Sequence, residues 1–106
     1  MNNITGITIT ENLTIPFASF VYEKSRENRS ILMRKQEIYI ANYIVERIQE
    51  EASAGNYSYS YSTYGFNEFD KEVIKNVSTF FIKAGYTVMK SSTSEEVVFC
   101  WDKKNN

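Results

Sequence analysis

Apolar residues recur along this chain with two different periods, and the changes of period divide it into elements. Residues 2–12 alternate weakly, with Ile4, Ile7 and Ile9 set among Thr and Asn, so that residues 1–14 read as a short strand or an arm. In "LTIPFASF" Thr14 can accept the free N–H groups of a helix start, and Pro16 suits a first turn, which predicts a helix from about residue 15. From there to Ala54 no Gly or Pro interrupts, and Ile38, Ala41, Val45, Ile48 and Ala52 share one helical face. The segment "EKSRENRS" (23–30) has no apolar residue and predicts a break or a solvent-exposed stretch near Asn28. Gly55 then ends the helix.

The period next changes to two. "GNYSYSYSTYGF" (55–66) reads as a strand with Tyr57, Tyr59 and Tyr61 on one side and Ser58, Ser60 and Ser62 on the other. A sheet covered on one face sends the larger residue of each pair inward, which assigns the three tyrosines to the core and leaves Tyr64 and Phe66 as exposed rings. "NEFDKEVIKNVSTFFIKAG" (67–85) is a helix capped by Asn67 or Asp70 and closed by Gly85, with Val73, Ile74, Val77, Phe80, Phe81 and Ala84 on a broad apolar face. "YTVMKSSTSEEVVFCW" (86–101) reads as two strands joined by a polar turn, with Val97, Phe99 and Trp101 of one parity, and residues 102–106 as a frayed tail. The order predicts a single α+β domain over residues 1–106, in which two main helices pack on one face of a small antiparallel sheet of about three strands.

Charge and composition narrow the function classes. Twelve Lys and Arg against 13 Asp and Glu leave a net charge of −1, which argues against sequence-independent DNA binding. One cysteine and no histidine exclude an intramolecular disulfide and every His-dependent triad. Cys100, without a histidine to activate it, reads as a packed thiol. The glycines are too scattered for a phosphate loop, and the adjacent acids Glu50–Glu51 and Glu95–Glu96 point apart. No signal-like or membrane-spanning run is present, so the expectation is a cytoplasmic, non-enzymatic protein without cofactor or membrane partner, and the triplets at 12–14, 56–58 and 76–78 are chance glycosylation matches.

The segments "IQEEASAGNYSYSY", "FIKAGYTVMK" and "VVFCW", within the run from Ile38 to Trp101, resemble a pattern of small tailed-bacteriophage proteins: a helix, a short strand, a second helix running into G-Y-x-V, and a hairpin. In that pattern Gly55 and Gly85 are caps and Trp101 a core aromatic, while Tyr57, Tyr59 and Tyr61 depart from the usual aliphatic strand. The resemblance implies an accessory protein acting in the host cytoplasm, and it brings no catalytic residue.

Two constellations can bind a partner. Lys24, Arg26, Arg29, Arg34 and Lys35 place five cations within twelve residues, suited to phosphates or equally to a solvated helix paired with Glu23 and Glu27. The aromatics Tyr64 and Phe66 can stack on a base or anchor a protein interface. The expected partner is a host protein inhibited by direct contact, as in counter-defence. The alternatives are a host signalling nucleotide sequestered between aromatic rings and the arginines of residues 24–35 (Arg26, Arg29 and Arg34) at a homo-oligomer interface, and a minor virion or assembly protein.

Overall fold

A computed structural model describes residues 5–91 and 93–102. Seven elements follow in the order β1 (Gly6–Thr10), β2 (Leu13–Pro16), α1 (Ala18–Ser53), β3 (Ser58–Ser62), α2 (Glu68–Lys83), β4 (Thr87–Lys90) and β5 (Glu96–Cys100). The result is an α+β fold with a two-stranded sheet, β1-β2, and a three-stranded sheet in the order β3-β5-β4. The chain groups into two compact units, Met1–Leu32 and Met33–Asn106.

In the first unit β1 and β2 form an antiparallel hairpin, with Ile7 opposite Ile15 and Thr8 opposite Thr14. The Thr8 and Thr14 hydroxyls meet at 3.3 Å, so Thr14 bonds across the hairpin and does not cap a helix. Pro16 closes β2 opposite Gly6, an edge position that tolerates a residue without N–H, and α1 starts later than residue 15. Gly6 is required by close approach, because a Cβ there would collide with the Ile15 carbonyl. Phe17 N–H donates to Thr5 O at 2.8 Å, and the Phe17 carbonyl accepts from Val21 N–H at 3.1 Å as the helix begins.

No break occurs near Asn28; α1 is continuous over 36 residues. The charged stretch consists of competent helix formers and carries its own i,i+3 pair, Glu23 with Arg26 at 2.7 Å, so solvent exposure there needs no interruption.

The second unit holds the core. From α1 it takes Ile40, Ile44 and Ile48, from α2 Val73, Ile74, Val77 and Phe81, and from β5 Val97 and Phe99. The buried face of α1 is therefore rotated from the one counted on the sequence: Ile38 is 54% and Val45 40% exposed. Glu37 takes a place on the buried face because Asn76 Nδ2 on α2 donates to its carboxylate at 2.9 Å, with Arg34 Nε at 3.5 Å. Phe80 on α2 and Ala84, its C-cap, lie outside the buried stripe. Asn67 is the cap: its side chain accepts from Asp70 N–H at 2.8 Å while the Asp70 carboxylate accepts from Asn67 N–H at 3.3 Å. Gly55 and Gly85 take φ of 85° and 101° just beyond the two helices, where a Cβ would strain the backbone.

Strand register sets the faces of the larger sheet. Tyr59, Phe99 and Val88 form one cross-strand row, and Tyr61, Val97 and Lys90 the next, with Ser58, Ser60 and Ser62 on the opposite face beside Cys100, Val98 and Glu96. Phe81 meets Phe99 edge-on at 5.0 Å and Tyr86 at 5.3 Å, and Tyr86 meets Trp101 at 6.2 Å. Cys100 is buried, as a packed thiol should be. Tyr59 and Tyr61 pack against the core, but Tyr57 precedes β3 and is 62% exposed.

Candidate functional site

Within the second unit, α1 and the β3 edge flank a groove of about 590 Å³. One wall is helical: Gln36, Tyr39, Ile40 and Tyr43 recur at three- and four-residue spacing and so line a single stripe of α1. The other wall is the strand from Tyr59 to Ser62, with Phe66 and Asp70 at the end. The groove's volume lies in the range of small-molecule and cofactor pockets, about 300–1,000 Å³.

The rings are held in place by one another. Tyr61 meets Tyr43 and Phe66 edge-on, each at 6.1 Å. The Arg47 guanidinium, one helical turn beyond Tyr43, sits 5.1 Å from its ring centre and is anchored by Glu50 at 2.8 Å. Burial pushes the Tyr59 phenol up to about 12, helped by its hydrogen bond with Tyr43 and by the nearby phenols of Tyr43 and Tyr61, with Arg47 opposing. Tyr61 is also raised, first by burial and then by Tyr43, Asp70 and Tyr39. Both phenols stay neutral at physiological pH, available as hydrogen-bond donors and acceptors but not as bases or nucleophiles.

The strand wall offers backbone as well as rings. Thr63 N–H donates to Glu95 O at 2.8 Å and Trp101 N–H to Tyr57 O at 3.0 Å, so the odd-numbered residues of this segment face β5. Alternation then turns the N–H and C=O groups of Ser58, Ser60 and Ser62 toward the free side of β3, which is an edge of the sheet. These groups have no backbone partner among the described residues. The side chains of Ser60 and Ser62 belong to the opposite face, where Ser60 Oγ donates to Glu96 at 2.6 Å, so these serines line the groove through their backbone. β3 contains no proline, lysine or bulge of the kind that protects an exposed edge.

The residues singled out on the sequence are only partly assembled. Arg26 and Arg29 belong to the first unit, and Arg34, Lys35, Tyr64 and Phe66 to the second. On a helix that advances about 100° per residue, the five cations fan around α1 and do not form one patch. Arg26 is paired with Glu23, as on a solvated helix, and Arg34 lies 3.5 Å from the buried Glu37 carboxylate. Tyr64 stands at the tip of a turn closed by Phe66 N–H to Thr63 O at 3.2 Å, with Gly65 at φ 78°, and is 81% exposed. Phe66 is half-buried against Tyr61, because the same turn folds it back onto the core.

Tyr39 and Tyr43 were missed because they lie outside the apolar face counted on α1. Their signal is the i,i+4 series Tyr39, Tyr43, Arg47, which places two rings and a guanidinium in one row. Among the described residues no group of His, Cys, Asp and Glu could hold a metal ion, and no helix is long and apolar enough to cross a membrane. Compared with protein-family models, curated proteins and solved structures, the chain matches none.

Proposed function

We propose that this chain is a non-enzymatic accessory protein of the tailed-phage type, which inhibits a host factor, in counter-defence, by holding an extended segment of it in the groove between α1 and β3. The observation that carries the reading is the open, unprotected edge of β3 facing a wall of tyrosines. An incoming strand gains main-chain hydrogen bonds from Ser58, Ser60 and Ser62, while its side chains meet Tyr39 and Tyr43. Tyrosine suits such a surface, since it offers large contact area for few rotatable bonds. A nucleotide would ask for cations beside the rings, but the groove lining contains Asp70 and no Lys or Arg, so a protein segment is the better fit.

The test is capture from host lysate by the purified chain, followed by identification of the retained protein and binding measurements with its peptides. Ser60→Pro removes an outward N–H at a position where an edge strand tolerates proline, and Tyr43→Ala removes a groove ring. Both should weaken binding at least tenfold, whereas Ser94→Ala, in the β4–β5 turn, should leave it unchanged. Retention of no host protein, or of one whose affinity ignores both groove variants, rejects the reading.

A further inference from the structure

A second cavity of the second unit shares no residue with the groove. It holds about 250 Å³ between α2 and β4. Lys71, Ile74, Lys75, Ser78, Thr79 and Ile82 recur at three- and four-residue spacing and form its helical wall. Val88 and Lys90 alternate on β4 and so face the same way, and Lys90 stands opposite Val97 of β5, on the sheet face that also carries Phe99. Ile74 and Val97 are buried at the floor, whereas Ile82 is 56% exposed and Val88 half-buried. Three lysines therefore converge on an apolar floor, and no Asp or Glu lines the cavity.

We propose that this cleft binds a small amphiphilic anion, its phosphate or carboxylate head held by Lys71, Lys75 and Lys90 and its short aliphatic body laid along Ile82 and Val88. Charge selects the ligand. The chain carries more acidic than basic residues, 13 against 12, yet three like charges line this one cavity. Lys71 has Glu68 at 3.5 Å, but among the described residues no ion pair joins Lys75 or Lys90. An inward lysine on an edge strand such as β4 also guards against edge pairing, which accounts for Lys90 and not for the two lysines on the α2 side of the cleft. The Ser78 and Thr79 hydroxyls donate to the Ile74 and Lys75 carbonyls at 2.8 and 3.2 Å, so their protons are committed to the helix and the head depends on the ammonium groups. An adjoining cavity shares Lys71, Ile74, Lys90 and Val97 but adds Glu95 and Glu96, whose charge leaves the Lys75 end as the favoured place for an anion. A volume below the ~300 Å³ of drug-sized ligand sites limits the body to a few carbons.

The test is a titration of the isotope-labelled full-length chain followed by its amide NMR shifts. Hexyl phosphate or hexanoate should move the amides of residues 71–82 and 88–90 saturably, with a dissociation constant of about 1 mM or tighter, within reach of a ligand of about ten heavy atoms. The tighter of the two identifies the head. Lys75→Gln with Lys90→Gln should weaken binding at least tenfold, whereas Lys24→Gln with Lys35→Gln, an equal loss of charge on α1, should leave it unchanged. Should the cleft variant unfold, the wild type decides with hexanol and inorganic phosphate: each lacks one half of the ligand and should bind at least tenfold more weakly. No saturable shift, a folded cleft variant that binds like the wild type, or hexanol or inorganic phosphate binding as tightly as the whole anion overturns the inference. A chain that ignores both soluble anions and co-sediments with phosphatidylglycerol vesicles also overturns it, in favour of a membrane surface.

Discussion

In proportion to their lengths the two units have comparable supplies of large apolar residues, and they put them to opposite uses. In the second unit, Ile44, Val73, Val77 and Phe99 are wholly enclosed because three elements converge on one volume: a helix stripe, a second helix and a strand. In the first, Ile7 and Ile15 pair across the hairpin before its register shifts between Thr8 and Thr10, and Ile7, Ile9 and Ile15 remain exposed. Patterning therefore decides which way a side chain points, while burial depends on whether another layer stands opposite. That contrast predicts where removing a side chain is costly and where it is not.

The sharpest way to break the comparison is to delete an equivalent side chain from each unit. Phe99→Ala removes a ring with no exposure, packed edge-on against Phe81, and should cost about 3–5 kcal/mol. The single tryptophan, Trp101, packs against the same core and reports its unfolding by fluorescence in urea. Ile9→Ala, at a side chain 60% exposed, should move that transition by less than about 0.5 kcal/mol. Equal effects would show that Ile9 is covered as fully as Phe99.

Polar contacts give a second, smaller contrast. Glu37 is 6% exposed and relies on Asn76, whereas Glu23 and Arg26 pair at the surface. Asn76→Ala leaves a buried carboxylate short of a donor and should cost about 1.5–3 kcal/mol in the Trp101 urea transition. Arg26→Ala should cost no more than about 0.5 kcal/mol, since exposed pairs gain little over water. Replacing both partners, Glu37→Met with Asn76→Leu, should recover most of the loss, because neither polar group is then stranded. A double variant as unstable as Asn76→Ala would assign the cost to packing instead of the hydrogen bond.

Features with a local physical cause were legible in the sequence. The Tyr–Ser alternation gave the two faces of β3, Asn67 or Asp70 and Gly85 marked the ends around α2, and Tyr64, beyond the alternating run, is exposed. Features decided by distant residues were not. Counting apolar residues on α1 selected Ile38 and Val45, but the side that packs also contains Glu37, whose burial depends on Asn76, 39 residues away. The groove was hidden for the same reason: Tyr39 and Tyr43 acquire significance only when β3 lies opposite them. The inward assignment of Tyr57 failed because β3 begins one residue later, so parity alone could not bury it.

The tyrosines of that groove supply the smallest effect, one set by proton linkage. The Tyr59 phenol is raised from 10.0 to about 12 in the fold, chiefly by burial, so the unfolded chain ionises first as pH rises. The stability associated with the neutral phenol is therefore complete below about pH 10 and is lost progressively as pH climbs from the unfolded value toward the folded one. Urea midpoints read by Trp101 at pH 8, 10 and 11 should fall across this window, and Tyr59→Phe, which has no proton to lose, should flatten the fall. Because lysines titrate over the same range in both proteins, the difference between wild type and Tyr59→Phe is the quantity that isolates the phenol. Parallel profiles would mean that the Tyr59 hydroxyl is solvated, and the groove would then be a looser, wetter surface than its edge-to-face rings imply, one in which an incoming strand displaces water before it reaches the serine backbone.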